Sequence, residues 1–142
     1  MSTGKYDSLK LQNQLCFPLY AASRKVINLY TPLLKPFGLT YTQYLVLVVL
    51  WEQDGLTIGD LCRKLYLDNG TVTPLIKKME KEGILERHRC AEDERSVRVS
   101  LTEKGKALEE ALLQVPGQVA VQLNITPEEA GQMYLSLYNI LK

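Results

Sequence analysis

Hydrophobic residues recur along this chain with two different periods. Over most of the sequence they follow the spacing of an α-helix, as in the stretches 14–30, 44–51 and 103–115. Between residues 84 and 101 apolar and polar residues alternate instead, so that Val97, Val99 and Leu101 fall on one face of a strand. The charged segment CAEDERS separates two alternating stretches. The pattern predicts four helices, a β-hairpin with a polar tip, and two further helices.

Threonine-initiated motifs mark several predicted helix starts. TYTQ at 40–43, TIGD at 57–60 and TPEE at 126–129 each place a Thr at the N-cap and a side-chain acceptor three residues later. Such pairs satisfy backbone N–H groups that the first turn of a helix leaves without partners. Thr102 is expected to cap a long helix, EKGKALEEALLQV, which Pro116–Gly117 bends or ends.

The two short helices in the middle of the chain suggest a recognisable motif. They are predicted at about 58–65 and 71–82, are joined by YLDNG, and are followed at once by the hairpin. This is the order of a winged helix-turn-helix, whose second helix usually enters the major groove of DNA. The predicted fold is therefore mainly α with a small β-hairpin wing. A winged helix also binds protein in some settings, so the fold alone leaves both functions open.

The start of the second helix carries short polar side chains suited to DNA. Asn69, Thr71 and Thr73 crowd its N-terminal end, where they meet base edges or phosphates beside the positive end of the helix. Pro74 fits if the cap lies near Asn69 or Gly70, because a proline in the first turn has no intrahelical hydrogen bond to lose.

Charged residues extend this candidate interface. Lys77 and Lys78 are placed to contact phosphates. Arg95 lies at the tip of the predicted wing, where an arginine enters a narrow minor groove. Asp93, two residues earlier, is expected to pair with a nearby arginine and orient it. A solvated, charged helix would carry the same lysines, and the adjacent hairpin favours the DNA interpretation.

Composition limits the alternatives. A chain of 142 residues with net charge +1 predicts one domain, and eleven of its seventeen Lys and Arg lie between Arg63 and Lys106. Its longest apolar run, YLVLVVLW, is shorter than the roughly 18 residues of a membrane span. The first dozen residues lack the apolar middle of a signal peptide, so a cytoplasmic protein is expected. Cys16, Cys62 and Cys90 are widely spaced, which predicts reduced thiols and neither disulfides nor a zinc site.

Cys16 has two interpretations from its surroundings. Pro18 places the helix start near 15–17, where the helix dipole favours a thiolate. Tyr20 and Tyr30 lie about 40° to either side of Cys16 on the same helix face. Because Tyr30 is about 21 Å farther along the axis, it reaches only the cysteine of an antiparallel partner chain. A small buried core residue is the other interpretation, and spacing alone does not choose between them.

The segment LDNGTVTPLIKKMEKEGILERHRCAEDERSVRVSLTEKG resembles the DNA-binding lobe of the MarR family of bacterial transcription regulators, and the resemblance covers essentially the whole chain. It implies a single MarR-type domain, 1–142, that forms a homodimer. Helices at about 8–37 and 102–142 would dimerise, and a winged lobe at about 38–101 would read a palindromic operator in double-stranded DNA.

The segments NQLCFPLYAASRKVINLY and LTYTQYLVLVVLWE resemble the organic-hydroperoxide-sensing branch of that family, in its one-cysteine type. The resemblance implies that Cys16 is the peroxide sensor and that Tyr20 and Tyr30 of the other subunit hydrogen-bond its sulfur. Tyr41 matches a pocket tyrosine. Oxidation of Cys16 by an organic hydroperoxide, followed by a mixed disulfide with a small thiol, would release the operator.

Three rivals to this repressor remain. A MarR-type repressor would instead be released by a small phenolic or apolar ligand, or would respond through the same cysteine to a broader oxidative signal. A thiol peroxidase would need a resolving route, which no CxxC motif supplies, and the chain is expected not to be an enzyme. A protein-interaction module is the third. No metal or other cofactor is expected, because His88 is the only histidine and lacks ligand-spaced partners.

Overall fold

The computed structural model describes residues 4–90 and 96–142. Its contacts divide the chain into two compact units, each of which is described by itself. The first, called the end unit, comprises the described residues up to Leu29 together with Val115–Lys142. The second, called the lobe unit, is Tyr30–Gln114.

The end unit is helical. Helix α1, Cys16–Leu34, begins here after two 3₁₀ turns, Asp7–Leu9 and Leu11–Asn13. Near the other end of the chain lie the sixth and seventh helices, labelled α6 (Val115–Gln122) and α7 (Pro127–Leu141). Large apolar side chains are exposed along α7, among them Tyr134, Leu135, Tyr138 and Ile140.

Within its described residues, the lobe unit combines the last turn of α1, a 3₁₀ helix at Lys35–Phe37, four further α-helices and one small sheet. In chain order it contains α2 (Tyr41–Glu52), β1 (Leu56–Thr57), α3 (Ile58–Leu65), α4 (Asn69–Lys81), β2 (Leu85–Arg89), β3 (Val97–Leu101) and α5 (Glu103–Ala111). The strands are antiparallel in the order β1-β3-β2, with Val99 of β3 opposite both Leu56 and Arg87. The predicted winged helix-turn-helix and its hairpin are therefore confirmed. The two-residue β1 was not predicted, because so short a strand has no measurable period.

The core of the lobe unit lies between the helices and the sheet. Its fully buried side chains come from α2, α3, α4 and β3 and include Leu47, Leu61, Ile76, Met79 and Val99. Gly105 is also buried. A Cβ added to it would lie 2.2 Å from the carbonyl oxygen of Ile84. Only glycine lets α5 approach the base of the wing this closely.

The predicted caps are present. Thr40, Thr57 and Thr126 form capping boxes with Gln43, Asp60 and Glu129, and the Thr102 side chain accepts from Gly105 N. Each box joins atoms only three residues apart, so sequence alone is enough to predict it.

Pro74 differs from the prediction. The N-cap of α4 is Asp68, so the helix begins at Asn69 and Pro74 is its sixth residue, beyond the first turn. Because proline has no N–H, the carbonyl of Gly70 lacks its usual intrahelical donor. Gly70 and Pro74 are both exposed, which leaves that carbonyl open to water.

The long helix after the wing also differs from the prediction. It stops at Ala111, and a new helix starts at Val115 after a three-residue turn. The break thus precedes Pro116, which occupies the second position of α6 and needs no N–H there. Of the described helices, none is by itself both long and apolar enough to cross a membrane. One sharply bent pair, Cys16–Phe37 with Tyr41–Glu52, meets those criteria only when the two are taken together.

Candidate nucleic-acid interface and cysteine site

An open groove of about 750 Å³ runs across one face of the lobe unit, between α3, α4 and the wing strands. Helix α4 contributes Asn69, Thr73 and Lys77, which share one helix face because they are four residues apart. The remaining lining comes from the start of α3 and from the wing: Thr57, Ile58, Gly59, Arg63, Arg87, Ser96 and Val97. The groove therefore combines hydrogen-bonding side chains with three cationic ones.

The sequence-predicted residues of α4 separate into two groups. Asn69, Thr73 and Lys77 line the groove, whereas Thr71 and Lys78 are exposed outside its lining. The helix start is held by Asp68, whose carboxylate accepts from Thr71 N at 2.8 Å. This cap keeps the first turn of α4 in place beside the groove.

Arg63 and Asp60 form an ion pair on α3, beside the groove. The Asp60 carboxylate also accepts from Thr57 N at 3.0 Å in the capping box. These hydrogen bonds, led by that from the Thr57 backbone, lower the pKa of Asp60. Asp60 therefore stays ionised and orients the Arg63 guanidinium at neutral pH.

Glu80 connects α4 to the wing. Its carboxylate accepts from Arg87 N at 2.9 Å and from Arg87 Nε at 3.1 Å, and Arg87 Nη2 lies 3.0 Å from Oε1. The hydrogen bond from the Arg87 side chain is the largest cause of a lowered Glu80 pKa. This arrangement fixes Arg87 at the wall of the groove.

Two predicted wing residues, Asp93 and Arg95, lie outside the described residues. On the described residues that flank this segment, Cys90 N donates to Ser96 O at 2.9 Å. On β2, His88 Nε2 is 3.6 Å from a carboxylate oxygen of Glu86. Among residues 4–90 and 96–142, no three His, Cys, Asp or Glu side chains are grouped as metal ligands.

Sequence reasoning did not single out Asp68, Arg63 or Arg87 as members of this interface, although the family resemblance implies that Lys and Arg between residues 63 and 106 face DNA. The Asp68 cap was available in the letters LDNGT, since Asp precedes Thr71 by three residues. Arg63 lies on α3, whose start at the Thr57 cap was predicted, but the sequence does not show that it faces the groove. Arg87 was marked by strand alternation, but its place beside Glu80 depends on the packing of β2 against α4.

Cys16 and Tyr20 lie one helical turn apart in the end unit. Cys16 is the first residue of α1, as Pro18 indicated, and is exposed. The prediction of the helix start is confirmed, and a buried core role for Cys16 within the chain is not supported. Tyr20 is also exposed, with the Arg24 guanidinium 5.4 Å from its ring centre.

Tyr30 and Tyr41 come together in the lobe unit. Their ring centres are 4.7 Å apart, and Tyr44 lies 5.5 Å from Tyr30. Burial is the largest cause of a raised pKa for all three tyrosines, so their hydroxyl groups remain protonated donors at neutral pH. Tyr44 was missed, although its three-residue spacing from Tyr41 places both on one face of α2.

Comparison with known proteins identifies similar chains of one kind. A family model described as transcriptional regulator SarA/Rot matches residues 28–112. The chain is 46% identical over 97% of its length to an organic hydroperoxide resistance transcriptional regulator of Bacillus subtilis, covering 94% of that protein.

Solved structures agree with this similarity. Reduced AbfR bound to DNA matches with TM-score 0.80 and 34% identity, covering 97% of this chain and 96% of that one; AbfR is from Staphylococcus epidermidis. A MarR transcriptional regulator from Methanosarcina mazei matches with TM-score 0.76 and 26% identity, covering 89% and 93%.

Proposed function

We propose a function from the fact that this chain belongs to the MarR family of transcriptional regulators. The protein represses transcription by binding DNA, and it senses organic hydroperoxides through Cys16. The observation that carries the proposal is the exposed Cys16 at the first residue of α1, in a chain 46% identical to an organic hydroperoxide resistance regulator. The family consists of regulators, so Cys16 acts as a switch and does not turn over substrate.

The lobe unit is the proposed DNA-binding part, within the range 38–101. Lys77, Arg63 and Arg87 give the groove a positive wall for phosphates. Asn69 and Thr73 supply hydrogen-bonding groups at the N-terminal part of α4, the position from which a recognition helix reads base edges. Arg95 at the wing is proposed to extend the same surface, with Asp93 orienting a nearby arginine. Thr71 and Lys78 would contribute beside the groove.

Dimerisation is assigned to the helices at about 8–37 and 102–142. The exposed Tyr134, Tyr138 and Leu141 share one face of α7 because they are four and three residues apart, and a second copy would cover this apolar surface. A two-fold dimer would place two lobes on a palindromic operator. It would also bring Tyr20 and Tyr30 of the partner subunit to Cys16, where a protonated Tyr30 hydroxyl donates to the sulfur.

The sensing step is a two-electron oxidation. The Cys16 thiolate attacks the terminal oxygen of the hydroperoxide, the O–O bond breaks, and hydroxyl is transferred to sulfur. The alkoxide leaves and takes a proton from solvent, so the peroxide is reduced to an alcohol and Cys16 becomes a sulfenic acid. A small thiol then attacks the sulfur of the sulfenic acid and forms a mixed disulfide, and the hydroxyl group leaves with a proton as water. The added group disrupts the tyrosine contacts and changes the separation of the lobes.

The experiment begins with duplexes enriched from a random pool by the reduced protein. Fluorescence anisotropy then follows operator binding by wild type, Cys16→Ser and the matched Cys90→Ser, before and after an organic hydroperoxide plus a small thiol. Release of wild type and Cys90→Ser, with Cys16→Ser retained on DNA, is expected.

Two other outcomes overturn parts of the proposal. Release of all three proteins alike removes Cys16 from the sensing role and redirects the search to a reversible phenolic or apolar ligand. Failure of the reduced protein to enrich any sequence overturns the DNA-binding assignment itself.

A further inference from the structure

The thiol of Cys62 on α3 and the side chain of Asn69 on α4 are hydrogen-bonded across the turn of the helix-turn-helix. Cys62 Sγ donates to Asn69 Oδ1 at 3.2 Å. Cys62 is half-buried, whereas Asn69 is exposed and lines the groove. The half-buried Cys62 thiol is therefore hydrogen-bonded to the exposed Asn69 amide, and this contact can orient that amide in the groove.

The main chain of Cys62 supports the same turn. Its carbonyl oxygen accepts from Leu67 N at 3.0 Å and from the N–H of Tyr66, which has the left-handed backbone conformation that ends α3. Asp68 then caps α4 and Asn69 begins it. The carbonyl of Cys62 thus stabilises the chain reversal, and its thiol contacts Asn69, the first residue of α4. The backbone hydrogen bonds of the turn set the position of the thiol relative to Asn69.

We infer that Cys62 is a specificity-determining positioning residue that decides which polar atom Asn69 offers to DNA. A free asparagine amide presents either an acceptor oxygen or a donor nitrogen. With Oδ1 engaged by the thiol, the two N–H groups of Nδ2 are left for the groove. Asn69 then donates to a base-edge acceptor in the major groove, N7 of a purine, and does not accept from the amino group of cytosine.

This inference rests on the proposed DNA-binding function and deepens it. A thiol is a weak donor, so its contribution is to the orientation of Asn69 more than to overall stability. Fixing one flexible side chain before binding is worth about two- to tenfold in affinity. The effect should appear at one base position in each half-site and leave the other positions unchanged.

The test uses the full-length reduced protein and the enriched operator, with 7-deazapurines substituted one position at a time to remove N7. Wild type should lose affinity at one position per half-site. Cys62→Ala should lose most of that discrimination while its unfolding temperature and salt dependence stay close to wild type. Cys62→Ser, whose hydroxyl also donates, should restore it, and in an Asn69→Ala background Cys62→Ala should have no further effect.

Three results would overturn the inference while leaving the DNA-binding proposal intact: discrimination by Cys62→Ala equal to wild type, loss of discrimination in Cys62→Ser equal to that in Cys62→Ala, or no change on Asn69→Ala. Should Cys62→Ala unfold, the discrimination against 7-deazapurines is compared between Cys62→Ser and Asn69→Ala, and the inference requires that only Asn69→Ala lose it. Failure of wild type to bind any duplex would instead refute the proposed function.

Discussion

The carboxylate of Glu80 on α4 accepts from both the backbone N–H and the guanidinium of Arg87 on β2, at 2.9 and 3.1 Å. This contact joins the candidate recognition helix to the wing, two elements that a DNA reader must hold in one geometry. It also places a titratable group at the junction, because only the carboxylate form attracts the arginine.

Glu80→Gln should therefore flatten the acid side of the stability profile. The folded-state pKa of Glu80 lies below its ordinary value of 4.5, so the folded protein binds fewer protons there than the unfolded chain. The stabilisation is present above pH 4.5 and is lost as the pH falls through the folded-state value. Urea unfolding at a series of pH values measures it, and Glu109→Gln on α5 controls for the loss of one charge. Equal slopes in both variants would contradict the prediction.

Gly105→Ala should destabilise the lobe unit. The new Cβ would lie 2.2 Å from the Ile84 carbonyl oxygen, and the strain of such overpacking is about 1–3 kcal/mol. Trp51 Nε1 donates to the Gly105 carbonyl at 2.9 Å, so the fluorescence of this single tryptophan should shift as well. Gly117→Ala in α6 is the control. Beyond its chain neighbours and its own helix backbone, no described atom lies within 4 Å of its Cβ position, and the substitution should be neutral or slightly stabilising. A stable Gly105→Ala with unchanged fluorescence would refute the close approach.

Lys77→Ala should weaken DNA binding about equally on all sequences. Lys77 is exposed and lines the groove, and loss of one phosphate contact reduces the slope of log affinity against log salt by about one. Anisotropy titrations at several salt concentrations measure this. Lys106→Ala removes the same charge from α5, outside the groove lining, and should keep the wild-type slope. If the two variants behave identically, the groove is not the phosphate-binding surface.

Tyr30→Phe should slow the oxidation of Cys16. The substitution keeps the ring that packs 4.7 Å from Tyr41 but removes the hydroxyl proposed to stabilise the partner's thiolate. Loss of a hydrogen bond to a charged group, about 1.5 kcal/mol, corresponds to roughly tenfold in rate. Stopped-flow oxidation monitored by thiol titration measures it, with Tyr44→Phe as a control from the same cluster. Unchanged rates would assign Tyr30 to packing alone.

Local patterns predicted much of this fold. The capping boxes of Thr40, Thr57 and Thr126 and the alternation of β2 and β3 rest on neighbours two to four residues apart, and all were confirmed. Two predictions of where a helix begins or ends were wrong. Pro74 was placed in the first turn because the Asp68 cap was overlooked, and the end of α5 at Ala111 carries no proline or glycine signal.

By itself, the sequence determined where α2, α3 and α5 begin, that a hairpin follows α4, and that Cys16 stands at a helix start one turn before Tyr20. These features depend on backbone hydrogen bonds and side-chain periods within a few residues. Only the tertiary structure decided that Cys62 holds Asn69, that Glu80 meets Arg87, and that Tyr30 packs on Tyr41. Those contacts join different elements, and their geometry follows from how buried faces pack together, which no local pattern encodes.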